Sequence, residues 1–295
     1  MNKRLWAHVG LFFVNLIYGA NHTIAKEVMP RYVQPFGFIV LRVTGAFVLF
    51  LFVHTLWVKE KIDKRDIPRF LLCALFGVIV NQLLFFKGLS LTTPIHSAII
   101  ATTNPIAVLI FANILIKEKI TFQKVSGIAL GAAGAIALIV LGKEITGGTN
   151  TFLGDIYIFL NALSYSIFLV VVKPLMQRYH PITIVKWIFL FGMIMVIPFG
   201  WNETMAIDWP NLPFEIGWEI MYVVVAATFL GYLLNSSALK VLDASVVSIY
   251  VYVQPVFAAF IAIGFGKDHL TPVSVIASIM IFVGVYLVSK PVKTI

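Results

Sequence analysis

The sequence predicts an all-α membrane protein of ten transmembrane helices, built as two inverted five-helix repeats with both termini in the cytoplasm. Three observations predict it. The 295-residue chain is 60% hydrophobic and 12% charged, with a mean hydropathy of +0.96, whereas a soluble domain carries about 25% charged residues. Asn81 to Ile139 lies over Gly231 to Ser289 at a constant offset of 150 positions, without a gap. Lysine and arginine are concentrated in alternate loops. The offset is faint in overall identity but holds at special residues: Asn104-Pro105 falls on Gln254-Pro255, Lys117-Glu118 on Lys267-Asp268, Thr121 on Thr271, and Gly134 on Gly284. A doubled sequence in so apolar a chain indicates two related halves, and substrate pathways in such proteins lie where the halves meet.

Apolar windows of about 20 residues, enough to span a bilayer, place helices over 6–25, 35–56, 70–88, 94–116 and 122–141, then 153–173, 182–200, 217–239, 244–266 and 272–289. Helix 1 follows Lys3 and Arg4 without a small-residue cleavage site, so it reads as a span and not as a removable signal. Pro35, Pro94, Pro181 and Pro272 stand at or beside helix starts; Pro68, Pro210 and Pro213 mark loops. Gly147-Gly148 falls in the 142–152 connection, dividing the chain into repeats 1–145 and 150–295.

With the N-terminus inside, the inner segments carry 15 Lys and Arg and the outer loops 5, the asymmetry of the positive-inside rule. Five helices per half is an odd number, so the second half must be inverted. Loop 57–69 holds five basic residues, while its counterpart at 201–216 holds none and carries Glu203, Asp208 and Glu215. These features place a multi-pass protein in the cell's inner membrane.

Several classes of function are excluded. The net charge of +9 sits in short loops, with no basic arm or RNA-binding motif, so no nucleic-acid partner is expected. Cys73 is the single cysteine, leaving no disulfide framework and no cysteine-based metal site. There is no paired carboxylate in a membrane-accessible site, and no HExxH, G-x-S-x-G or phosphate loop, so neither an enzyme nor a cofactor or metal is expected.

Midspan polar residues are costly in lipid and therefore mark function. Helix 1 carries Asn15, Tyr18 and His22 on one face; helix 3 carries Asn81 and Gln82; helix 4 carries His96, Thr102, Thr103 and Asn104. Helix 6 adds Asn161, Ser164 and Tyr165, helix 8 Asn235 and Ser236, and helix 9 Ser248, Tyr250, Tyr252 and Gln254. Interhelical hydrogen bonding is the ordinary use of such groups, worth about 0.6 kcal/mol each. Asn104 and Gln254 stand apart because Pro105 and Pro255 follow them at equivalent positions, making two candidate hinges with freed carbonyls. Arg42 reads as snorkelling or bonding to backbone carbonyls, with a substrate carboxylate as the other use. No Asp or Glu lies centrally in a span, which leaves any proton coupling to His22 or His96. Gly127, Gly131 and Gly134 on helix 5, with Gly284 on helix 10, form a close-packing surface.

The ordered set Gly88-Leu89-Ser90, Ser97-Ala98, Asn104-Pro105, Lys117-Glu118-Lys119-Ile120-Thr121, Gln123, Gly127 and Gly134 resembles the end of an EamA domain. That domain is the repeat unit of the drug/metabolite transporter superfamily. Ala238-Leu239, Ala244-Ser245, Gln254-Pro255, Asp268-His269-Leu270-Thr271 and Gly284 resemble it a second time. Tyr18 and Tyr165 stand where tryptophan is common, and Asp268 where glutamate is usual. The resemblance implies a cavity lined by helices 1, 3, 4, 6, 8 and 9, and small metabolites, commonly amino acids, moved by alternating access.

The expectation is a secondary transporter exporting amino acids or related zwitterions, as a monomer or homodimer in the lipid bilayer. Its candidate substrate-binding residues are Asn15, Tyr18, His22, Asn81, His96, Thr103, Asn104, Asn161, Tyr165, Tyr250 and Gln254. The alternatives are a broad-specificity drug exporter and a non-transport lipid-handling or scaffold protein.

Overall fold

The computed structural model describes residues 3–92, 94–141, 151–257, 260 and 271–290, with the side chains of residues 22, 23, 26, 94, 95, 138, 141 and 151 outside that description. Among the described residues the structure is helical and contains no strand. Seven stretches are long and apolar enough to cross a membrane: Pro35–Val58, Lys64–Leu91, His96–Ile116, Phe152–Arg178, Pro181–Met205, Phe214–Val241 and Pro272–Ser289. Phe122–Ala137 and Ala244–Phe257 are shorter apolar helices.

The first half runs α1 (Lys3–Val28), α2 (Pro35–Val53), α3 (Ile67–Ala74), α4 (Val80–Leu91), α5 (Pro94–Ala101), α6 (Asn104–Ile116) and α7 (Phe122–Leu141). The second runs α8 (Thr151–Arg178), α9 (Pro181–Met205), α10 (Phe214–Tyr222), α11 (Gly231–Val241), α12 (Ala244–Ile249) and α13 (Pro272–Ser289). Helix ends follow from local chemistry. Pro35 occupies the first turn of α2, where its missing N–H costs nothing. The Glu203 carboxylate then accepts the Phe36 and Gly37 N–H groups at 2.7 and 2.9 Å, satisfying orphan donors and complementing the helix dipole. Thr271 and Ser274 form a reciprocal capping box at the start of α13.

Two departures from regular helix occur at related places. α3 and α4 are joined by a π-helical stretch at Leu75–Ile79, and α10 and α11 by one at Val223–Leu230. The 150-residue offset superimposes these stretches. Likewise α5 and α6 part at Thr102–Thr103, immediately before Asn104-Pro105, and Tyr250–Val253 tightens to a 3₁₀ turn immediately before Gln254-Pro255. The expected continuous helix over 94–116 is therefore two helices. Pro105 sits in the first turn of α6, the position proline suits, so the chain restarts there instead of kinking.

The most extensive contacts pair α7 with α13 and α2 with α9. A Cβ on Gly127 would lie 2.8 Å from the Gly284 carbonyl oxygen, and one on Gly134 would lie 2.7 Å from that of Ala277. At the 150 offset, each of these contacts maps onto the other. Close backbone approach is how helices associate in lipid, where apolar surface alone gives no driving force. Between α2, α4, α9 and α11, Phe38 packs edge-on to Phe86 at 5.5 Å and Phe189 edge-on to Tyr232 at 4.9 Å. The outer surface is apolar: Phe122, Ile114 and Phe52 are 87%, 67% and 61% exposed. Polar side chains inside and bare hydrocarbon outside are the arrangement a bilayer selects.

Candidate functional site

A cavity of about 150 Å³ lies between the halves. Asn15, Tyr18 and Asn21 reach it from α1, Arg42 from α2, and Asn81, Gln82 and Phe85 from α4. Ser97 and Ala101 come from α5, Asn104 from α6, and Ile158, Asn161 and Tyr165 from α8. Tyr232 and Asn235 of α11, Val247 and Ser248 of α12, Val251 and Gln254 complete the wall.

The wall is built from amides that brace one another. Gln254 Nε2 donates to Asn15 Oδ1 at 2.9 Å, and Asn15 Nδ2 donates to the Leu11 carbonyl at 2.7 Å. Asn161 Nδ2 donates to the Asn81 carbonyl at 2.7 Å, and Asn235 Nδ2 to the Tyr18 hydroxyl at 3.3 Å. Carbonyls freed by irregular backbone are also taken up. The Phe76 carbonyl in the first π turn accepts from Ser164 Oγ at 2.7 Å, and the Gly77 carbonyl accepts from the Tyr232 hydroxyl at 2.9 Å. At the α5–α6 break the Thr102 carbonyl accepts from the Tyr252 hydroxyl at 2.8 Å. Tyr232 stands 150 positions from Gln82, and Tyr252 from Thr102. In both pairs a residue is therefore bonded to its own counterpart in the other half.

Three acceptors remain unsatisfied. Gln82 Oε1, Asn21 Oδ1 and Ser97 Oγ are buried without a hydrogen-bond partner among the described residues. The orientation of Gln82 is fixed by chemistry. The Tyr232 hydroxyl gives its proton to Gly77, so the 3.3 Å contact with Gln82 requires Gln82 to donate Nε2 and leave Oε1 free. Opposite in character is Arg42. It is 6% exposed, donates Nε to Thr228 Oγ1 at 2.6 Å and lies 5.1 Å from the centre of the Phe86 ring. No carboxylate faces it in the cavity wall among the described residues. Arg42, expected to snorkel or bond to backbone carbonyls unless it serves a substrate carboxylate, is a buried cation at the cavity wall, bonded to the hydroxyl that the second π stretch presents.

Of the predicted residues, Asn15, Tyr18, Asn81, Asn104, Asn161, Tyr165 and Gln254 surround this cavity. Three others stand elsewhere. His96 faces Asp155 at 2.9 Å, the Thr103 hydroxyl donates to the Ile100 carbonyl at 2.7 Å, and Tyr250 pairs with His8 at 2.6 Å. The side chain of His22 lies outside the described residues. Asn21, Arg42, Gln82, Ser97, Tyr232, Asn235 and Ser248 join the wall beyond the predicted set. For Asn21 the signal was its spacing three residues after Tyr18, and for Tyr232 its correspondence with Gln82.

Two polar clusters outside the cavity wall join residues of the two halves. In one, Lys124 bridges Glu118 at 2.8 Å and Asp243 at 3.5 Å, and Ser245 Oγ also donates to Glu118. Nearby, Lys173 donates to the Leu239 carbonyl at 2.6 Å and to the Leu242 carbonyl. In the other, Asp155 accepts from Thr92 Oγ1 at 2.5 Å and meets His96.

Comparison with known proteins shows the family. The model of the EamA-like transporter family matches twice, over residues 5–140 and 152–290. The chain is 23% identical to the uncharacterized transporter YyaM of Bacillus subtilis over 297 residues, covering 99% of this chain and 96% of that protein. It is 26% identical to the uncharacterized transporter YetK of the same organism, covering 89% and 80%. It is 24% identical to the protein WALLS ARE THIN 1 of Arabidopsis thaliana, covering 97% and 83%. A solved crystal structure shares the fold with a TM-score of 0.75 over 95% of both chains, at 16% identity.

Proposed function

We propose, from the premise that this chain belongs to the EamA-like transporter family, that it exports amino acids or closely related zwitterions across the inner membrane by alternating access. The chain is a multi-pass membrane protein of a transporter family. In the proposed arrangement ten spans form two inverted repeats, 1–145 and 150–295, with both termini cytoplasmic. Helix α1, α7 and the α12-to-257 segment supply the spans beyond the seven long apolar stretches. Reciprocal contacts support this reading, since Gly127 with Gly284 and Gly134 with Ala277 exchange under the offset.

One observation carries the substrate class: the cavity holds a guanidinium, Arg42, with no carboxylate partner among the described residues, together with Gln82 Oε1, Asn21 Oδ1 and Ser97 Oγ, which have no hydrogen-bond partner among them. A carboxylate answers the first, and an ammonium group answers the others. Both must be supplied together, because either charge alone leaves a buried polar group uncompensated. Tyr18, Phe85, Tyr165 and Tyr232 offer aromatic surface for the rest of the molecule. Apolar organic cations, the cargo of a broad-specificity drug exporter, meet Arg42 and no acid in this wall among the described residues. A lipid-handling or scaffold role gives no reason for unpaired acceptors at a cavity.

Alternating access requires that the contacts between halves form at one end while the other opens. The Glu118–Lys124–Asp243 cluster and the Asp155–His96–Thr92 cluster both join first-half to second-half residues. A thermal-shift screen of purified protein against amino acids, matching amines, matching carboxylic acids, nucleosides and sugars tests the reading, because a ligand stabilises the state it binds. Stabilisation by amino acids and not by their one-charge analogues is expected. Stabilisation by amines or nucleosides alone overturns it.

A further inference from the structure

A second cavity, of about 580 Å³, lies under loop 57–69, between the end of α2 and the first turns of α9. Its wall differs in chemistry from that of the central cavity. Lys59, Lys61, Lys64 and Lys186 line it together with Trp187 and the apolar Leu51 and Ile62. Lys186 is 8% exposed, lies 4.4 Å from the Trp187 ring centre, and has no hydrogen bond or ion pair among the described residues. It stands five residues past Pro181, about 7.5 Å along the helix axis at 1.5 Å per residue, so the charge is carried below the helix end. The Trp187 indole N–H is also buried without a partner among the described residues. Glu60, the carboxylate of this wall, is already engaged, accepting the His180 backbone N–H at 2.9 Å. The loop is fixed in place by Asp66, which takes Arg178 at 2.7 Å and the Tyr179 hydroxyl at 2.6 Å. Four lysines therefore line one space, the buried Lys186 and the exposed Lys59, Lys61 and Lys64, with a buried indole donor beside them.

The cavity sits where the apolar stretch Pro35–Val58 ends, beside Trp57, which is 75% exposed. Exposed tryptophan at a span's end marks headgroup level, and Phe52 and Leu56 continue the apolar surface away from it. Basic pockets between transmembrane helices take anionic lipid headgroups. We propose that this cavity binds the phosphate headgroup of an anionic phospholipid, with Lys186 and the Trp187 N–H at its floor and Lys59, Lys61 and Lys64 around its rim. A free phosphate would answer the charge but leave the apolar wall of Leu51 and Ile62 uncovered. The counterpart loop at 201–216 has no lysine or arginine, so the site exists on one face of the bilayer. This assignment is independent of the substrate reading.

Native mass spectrometry of the purified full chain tests it. Phosphatidylglycerol, phosphatidylcholine with the same acyl chains, and inorganic phosphate are added separately to wild type, to Lys186→Gln and to the double variant Lys59→Gln/Lys61→Gln. Wild type is expected to hold phosphatidylglycerol at least tenfold more tightly than phosphatidylcholine, with inorganic phosphate failing to displace it at equal concentration. Both variants are expected to lose that preference. The double variant alters exposed side chains, so it decides the matter even where Lys186→Gln does not fold. Equal binding of the two lipids, an undiminished preference in the double variant, or displacement by equimolar phosphate overturns the proposal.

Discussion

Replacing Arg42 by methionine separates two roles that predict opposite outcomes. As a structural brace, Arg42 contributes its bond to Thr228 and its contact with Phe86, about 1.5–3 kcal/mol for a hydrogen bond to a charged group and about 2 kcal/mol for a desolvated cation–π contact. As a substrate counter-ion it is a buried charge waiting for its partner, and such a charge costs several kcal/mol of desolvation. These terms oppose each other, and exchanging buried ionic groups for apolar ones of similar volume is often neutral or stabilising, by up to about 4 kcal/mol. The unliganded Arg42→Met variant is therefore expected to unfold at or above the wild-type temperature. Binding responds the other way, since removing one member of a buried charge pair costs about 2–5 kcal/mol, at least about 30-fold in affinity. At a ligand concentration 100 times the wild-type Kd, wild type gains about 2.7 kcal/mol and a variant binding 30-fold more weakly gains about 0.9 kcal/mol. Thermal unfolding in detergent, with the amino acid found by screening and with its decarboxylated amine, reads both quantities. A variant that is strongly destabilised without ligand yet binds the amino acid with wild-type affinity refutes the counter-ion role.

Four further perturbations have defined outcomes. Gly284→Ala would place a Cβ 2.6 Å from the Gly127 carbonyl oxygen and 2.9 Å from Gly131 N; forcing α7 and α13 apart should cost about 1–3 kcal/mol in detergent unfolding. Gly217→Ala, with nothing within 4 Å of the added carbon, should cost nothing in the same measurement. Glu203→Gln removes the charge at the start of α2 and should lower stability by about 0.3–2 kcal/mol, with a loss that shrinks as salt is raised. Glu118→Gln weakens the contacts to Lys124 and Ser245. In a Cys73→Ala background it should speed thiol labelling of Ser248→Cys from the 117–124 side, and an unchanged rate contradicts a role for this cluster in alternating access.

The bilayer made the membrane class legible in the sequence, because apolar windows leave so few alternatives for the backbone. Individual cavity residues were legible where an expensive polar group met a second constraint. Asn104 and Gln254 carried a following proline and an equivalent position, and Asn15 and Tyr18 shared a helix face. Rotation about the helix axis was not legible. Thr103 adjoins Asn104, yet about 100° of rotation per residue turns its hydroxyl back onto the Ile100 carbonyl. The use of Arg42 stayed open in the sequence because its depth in helix 2 is compatible with snorkelling until Thr228 is known to face it. The partner depends on the π stretch at Val223–Leu230, which no proline announces. Hydrophobic periodicity does not register such a shift, although the offset would have shown that Leu75–Ile79 and its counterpart depart from helix together.

The most direct test of the account is counterflow in proteoliposomes preloaded with a panel of unlabelled amino acids. Wild type is expected to accumulate the labelled zwitterion against its gradient, while Arg42→Met and Asn104→Ala/Gln254→Ala, reconstituted to the same density, do not. Equal exchange by all three proteins, or exchange of amines with no exchange of amino acids, would contradict a cavity built to hold both charges of one small molecule.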